Sequence, residues 1–125
     1  MNVLLDTTVL IDALRARNNR RAQLADLVES GHTLTTSAIN IGEVYAGMRP
    51  SEQARSEAFL SDLECHPITT SIARRAGLLK SAWAQRGRTL TLADMMIAAT
   101  ALDHDLVLMT DNRKDFPMPG LKFHE

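Results

Sequence analysis

Cys65 is the only thiol in the chain, so no internal disulfide can form. Four histidines, His32, His66, His104 and His124, are scattered along the sequence and offer no zinc-ligand spacing beside that one cysteine. A chain that does without disulfides fits a reducing compartment. No apolar run approaches the length of a membrane span, and Met1 is not followed by a basic region and a cleavable hydrophobic segment. These absences lead us to expect a soluble, cytoplasmic protein. A large excess of either charge is also missing: 14 Lys and Arg face 15 Asp and Glu, a formal net charge of −1. The molecule as a whole therefore exerts no attraction on nucleic acid. No internal repeat, low-complexity segment or linker interrupts the 125 residues, which suffice for one domain, residues 1–125, with its own core.

What the chain does contain is an alternation of short apolar runs and helical patterns. Asn2–Leu5 reads as a strand, and a helix from Val9 to about Ala16 follows, with Thr7 or Thr8 as its cap. Ala22–Glu29 reads as a second helix with Leu24, Leu27 and Val28 inward, stopped by Gly31. Thr33–Thr36 is a β-branched strand, and Ser37 caps the next helix, AINIGEVYAGM. Its apolar side would be Ile41, Val44, Tyr45 and Met48. A more polar helix covers Ser51–Leu63, a brief strand Cys65–Ile68, and a longer helix Thr70–Gln85, built on Ile72, Ala76, Leu79 and Trp83. Thr91 caps the most apolar helix, with Leu92, Met95, Met96, Ala99 and Leu102 at helical spacing. The run Leu106–Met109 suits a strand buried on both faces, and Leu121–Phe123 an edge strand. This order predicts an α/β/α sandwich around a small, mostly parallel sheet. In such sheets, chemistry gathers outside the carboxyl ends of the strands.

Three carboxylates stand where the pattern predicts burial. Asp6 ends the first strand, Glu43 interrupts an otherwise apolar or small helix that also carries Asn40, and Asp94 begins the most apolar helix. Buried acids are costly unless paired or given a cation. Should the three converge, a hard ion such as Mg²⁺ or Mn²⁺ is the natural partner, because it prefers oxygen ligands and keeps several waters. Each acid also has a plainer role: Asp6 as a helix cap, Glu43 as an exposed helical glutamate, and Asp94 as half of a capping box with Thr91. Basic residues come as arginine-rich clusters: Arg15, Arg17, Arg20 and Arg21; Arg74 and Arg75; Arg86 and Arg88; Arg113 and Lys114. They permit a phosphate-bearing partner without requiring one.

Four blocks carry a resemblance. LLDTTVLID (4–12), SAINIGEVYAGM (37–48), TLADMMIAATAL (91–102) and LMTDNRKDF (108–116) resemble, in this order, the blocks of the PIN domain, and most of all those of VapC toxins of type II toxin–antitoxin pairs. The resemblance implies a Rossmann-like fold and a Mg²⁺- or Mn²⁺-dependent ribonuclease. It also implies a homodimer, or a larger assembly, with a cognate VapB-type antitoxin over the active site. The family's three acids fall on Asp6, Glu43 and Asp94. Thr8 stands where the family commonly has Asn, and Asn112 where many members have a fourth acid, with Asp111 and Asp115 nearby. Thr110 and Ser37, near strand ends, are candidates to orient waters or phosphate oxygens. Two rivals remain: a PIN-like module that binds RNA or a protein without effective hydrolysis, and, more distantly, a phosphatase using Asp6 as nucleophile.

Overall fold

The computed structural model describes residues 1–124. Its strands are β1 (Asn2–Leu5), β2 (Thr33–Ser37), β3 (Glu64–His66), β4 (Val107–Met109) and β5 (Lys122–Phe123). Its helices are α1 (Thr7–Leu14), α2 (Arg20–Glu29), α3 (Ala38–Gly47), α4 (Gln53–Ser61), α5 (Thr70–Gln85) and α6 (Leu92–Asp103). The sheet runs β3-β2-β1-β4-β5, and every pairing among the described residues is parallel. The expected α/β class therefore holds, with a sheet that is parallel throughout.

β1 lies at the centre because Val3, Leu4 and Leu5 can all be buried, and alternation along the strand sends them to opposite layers. Leu4 packs with Ile72 and Ala76 of α5 and with Met95, Ile97, Ala98 and Ala99 of α6. Val3 and Leu5 pack on the other face with Val9, Leu10, Leu24, Leu27, Val44 and Leu60, drawn from α1, α2, α3 and α4. Full burial of one such leucine contributes roughly 1.5–3 kcal/mol. In α6 the alanines at 98, 99 and 101 are buried, as their small size allows, and Thr100 satisfies its hydroxyl on the Met96 carbonyl at 2.7 Å.

Several boundaries differ from the sequence reading, each for a local reason. Of the caps read for α1, Asp6 takes the place of Thr7 or Thr8, accepting from the Thr7 amide at 2.9 Å. α2 starts two residues early because Arg20 is held inward by ion pairs, while Val28 faces outward at 57 % exposure. A 3₁₀ turn at Pro50–Glu52 takes the start of the fourth predicted helix. β3 ends at His66, before Pro67, which has no amide to donate. Leu92, in the first turn of α6, is 43 % exposed rather than inward.

Strand order sets the location of a crevice. The chain leaves β1 toward β2 on one side, whereas β4 lies on the other, so the order reverses between β1 and β4. The Asp6 amide donates to the Met109 carbonyl at 3.0 Å, bringing the exits of these two strands together.

Candidate active site

Asp6 is 6 % exposed at the exit of β1, and both of its carboxylate oxygens have partners. One accepts from the Thr7 amide; the other accepts from the Thr110 hydroxyl, at the exit of β4, at 2.7 Å. Thr110 Oγ1 in turn accepts from the Asn112 amide at 3.0 Å. The bonds orient the Asp6 carboxylate without placing a positive charge beside it.

A second chain of bonds holds Glu43. Ser37, at the exit of β2, caps α3, and its hydroxyl donates to Asn40 Oδ1 at 2.5 Å. The Asn40 amide group donates to Thr7 Oγ1 at 3.0 Å, and Thr7 Oγ1 donates to Glu43 Oε1 at 2.7 Å. Each group thus has a defined donor direction, which fixes the Glu43 carboxylate from a fully buried Asn40. Glu43 itself is exposed, which corrects the expectation that its helix would bury it: only Asn40 and Val44 of α3 are buried.

Asp94 sits in the first turn of α6. Thr91 Oγ1 accepts from its amide at 3.1 Å. Burial pushes the Asp94 carboxyl up, the Thr91 hydrogen bond opposes that, and the charges of Asp6, Asp115 and Glu43 push it up further. Asp94 therefore senses three other acids across space. Asp115 lies on the 3₁₀ turn Arg113–Asp115 and is half-buried, while Asn112 and Thr8 are exposed. No side-chain hydrogen bond involves Thr8 among the described residues; its neighbour Thr7 bonds Glu43 instead. Thr7 and Asn40 are the residues that sequence reasoning missed. Asn40 had a signal: it is the lone neutral polar side chain in an apolar helix, three residues after the capping Ser37.

The donor set suits a hard divalent ion: carboxylate oxygens from four positions, mutually repelling, with no lysine or arginine bonded to Asp6, Glu43 or Asp94 among the described residues. Also among the described residues, no three acidic, histidine or cysteine side chains stand as a ready-made metal cage. An ion here would keep much of its water, as Mg²⁺ commonly does.

Residues 3–117 match the PIN domain family. The chain belongs to the PIN domain family. This agrees with the four-block resemblance and with the acids clustered at the carboxyl edge of the sheet. Among PIN-domain relatives, Ribonuclease VapC19 of Mycobacterium tuberculosis is 37 % identical, covering 92 % of each chain. Ribonuclease VapC10 of the same organism is 35 % identical over 93 % of this chain and 86 % of its own. A toxin–antitoxin complex from Klebsiella pneumoniae contains a chain 32 % identical, with a TM-score of 0.78 and coverage of 95 % and 94 %. VapBC2 from Rickettsia felis, bound to a DNA fragment from its promoter, matches the fold at a TM-score of 0.86 and 24 % identity, over 99 % of this PIN-domain chain and 98 % of the other.

Proposed function

We propose that this chain is the ribonuclease toxin of a type II toxin–antitoxin pair, hydrolysing RNA phosphodiester bonds with Mg²⁺ or Mn²⁺. The observation that carries the reading is the convergence of Asp94 with Asp6, Glu43 and Asp115 near the strand exits, with no lysine or arginine bonded to Asp6, Glu43 or Asp94 among the described residues. Its relatives of 35–37 % identity are named as ribonucleases, which supports the same activity here.

Asp6, Asp94 and Glu43 would hold the ion, with Asp115 or Asn112 as further oxygen donors. When bound, the ion lowers the pKa of water and offsets the charge that builds on the phosphoryl oxygens. Thr110 and Thr7 keep the Asp6 carboxylate in one orientation. Glu43, exposed and fixed by Thr7, accepts the proton of the attacking water. The water oxygen forms a bond to phosphorus opposite the 3′-oxygen, whose bond breaks and which takes a proton from solvent, leaving 5′-phosphate and 3′-hydroxyl ends. Unpaired RNA loops are the substrate class most open to sequence reading.

Surface features support the remaining assignments. An apolar groove of about 400 Å³ between α1, α2 and α4, rimmed by Arg21 and Arg55, suits an amphipathic segment of a VapB-type antitoxin. Tyr45, Leu78 and Leu92 leave large apolar side chains exposed, surface that a second copy would cover in a homodimer. No helix among the described residues is long and apolar enough to cross a membrane. We assign the cytoplasm as the setting because its RNA is the substrate.

The second reading, a binding module with weak or no hydrolysis, draws on Asn112, which supplies no fourth charge. The test is cleavage of RNA by purified, antitoxin-free protein in Mg²⁺, Mn²⁺ or EDTA, beside Asp6→Asn and Asp94→Asn. Metal-dependent cleavage to 5′-phosphate products, lost in both variants, is expected. Cleavage that survives EDTA or both substitutions overturns the mechanism, and tight RNA binding without cleavage favours the binding module.

A further inference from the structure

The four helices α1–α4 pack on one face of the sheet against β1 and its neighbours, while the connection from β4 to β5 carries only the short 3₁₀ turn at Arg113–Asp115. On the α2 side, this leaves a cleft of about 870 Å³ between α2, the exit of β4 and the C-terminal strand. Arg20, His32, Arg113, Lys114 and His124 line it. Two acids face them, Asp26 and Asp111, and Asp111 is already bonded to Arg20, whose buried guanidinium also holds Asp12. Once that knot is set aside, Arg113 and Lys114 dominate the charge facing the cleft. Arg113 is held in place: its guanidinium lies 5.1 Å from the centre of the Phe123 ring and donates to the His124 carbonyl at 2.8 Å. An arginine oriented in this way keeps further N–H groups for a phosphate and loses little freedom on binding.

The cleft is not remote from the acids. Thr110 lines it and also donates to Asp6, and Arg113 and Lys114 share their short turn with Asp115. A strand whose reacting phosphate lies at the carboxylates would therefore enter this cleft with its adjoining phosphates. We propose that the α2–β4 cleft is the groove that grips the RNA backbone beside the reaction centre, through Arg113 and Lys114. This rests on the ribonuclease reading and adds to it a place where affinity resides apart from hydrolysis. Backbone contacts of this kind carry no sequence preference, so the groove sets affinity and register while the target is chosen elsewhere.

The test is binding of a fluorescent single-stranded RNA dodecamer to the antitoxin-free protein in EDTA, over a series of salt concentrations. Removing one phosphate contact from a single strand lowers the slope of log affinity against log salt by about 0.7. Arg113→Ala and Lys114→Ala are each expected to weaken binding several-fold with that change in slope, and the double variant to show about twice it. Arg113→Lys should keep most of the slope, and Arg74→Ala, an exposed charge on α5, should match the unmodified protein. Thermal unfolding of each variant checks that its fold is intact. An unchanged slope in the folded double variant overturns the proposal. So does the absence of RNA binding by the unmodified protein in EDTA, and the ribonuclease reading is then judged separately by metal-dependent cleavage. Equal capture of a polyglutamate peptide, lost in the same variants, would also overturn it and assign the cleft to an acidic protein segment.

Discussion

Two groups of acids lie at the same edge of the sheet and are treated in opposite ways. Asp12 and Asp111 share the buried Arg20; Asn18 adds a bond to Asp12 at 3.0 Å and Gln23 one to Arg20 at 3.1 Å. Burial alone would push the Asp12 carboxyl up, yet the Asn18 amide and the Arg20 guanidinium outweigh it and hold it low. Asp6 and Glu43 have hydroxyl or amide partners, and among the described residues no cation is bonded to either of them, to Asp94 or to Asp115; the Asp94 carboxyl is pushed up. A carboxylate near a strand exit is therefore no sign of chemistry in itself. What separates a structural knot from a candidate metal centre is whether the fold supplies the positive charge or leaves it to come from solution.

The largest effect that would break this contrast comes from the knot. Arg20→Met leaves the Asp12 carboxylate buried without its bonded counter-charge and should cost about 3–5 kcal/mol, read from urea unfolding. A cost under about 1 kcal/mol, typical of an exposed ion pair, would show that the knot is not structural. At the other group, Glu43→Gln should slow cleavage by about a hundred-fold or more while leaving the unfolding midpoint nearly unchanged, because the side chain is exposed. Equal losses of stability and rate would mean that Glu43 serves the fold.

Asn40→Ala removes the link between Ser37 and Thr7 from a buried position and should cost about 1–3 kcal/mol. It should also slow cleavage, since Glu43 loses its fixed orientation. The two acid groups should differ in the sign of their pH dependence as well. Folding raises the Asp94 pKa above its ordinary 3.8, so the folded state holds that proton more tightly. Metal-free stability then falls as pH rises from about 3.8 through the raised value, and Asp94→Asn should remove that fall. Asp12 acts oppositely: its contribution is complete above 3.8 and is lost as pH drops through its lowered value. The smallest effect expected is at Glu52, which the Arg15 guanidinium and the Arg49 amide hold down to about 2. Glu52→Gln should lower stability at neutral pH only by the loss of one partly exposed ion pair, and that loss should fade as pH falls from about 4.5 to 2, flattening the acid limb.

Most of the architecture was legible in the sequence. Unbroken apolar runs such as Val3–Leu5 can only be satisfied between two layers. The alternation of such runs with capped helices leaves few topologies besides a parallel sheet with helices on both faces. Ser37 and Thr91 each cap the helix that follows, because capping depends on neighbours three residues away. Asp6 and Asp94 were visible as acids beside apolar segments for the same local reason.

The neutralisation of charge was not legible. Arg20 and Asp111 are separated by 91 positions, and nothing local in RARNNRR or TDNRKD says that they meet. The same is true of Thr110 and Asp6, separated by 104 positions, and of Thr7 and Glu43, separated by 36. Local interactions and apolar periodicity act over a few residues, so the sequence by itself determined the elements, their caps and the layering of the sheet. Electrostatic pairing acts through space, so only the tertiary structure decided which acids were neutralised and which were left without a bonded cation among the described residues.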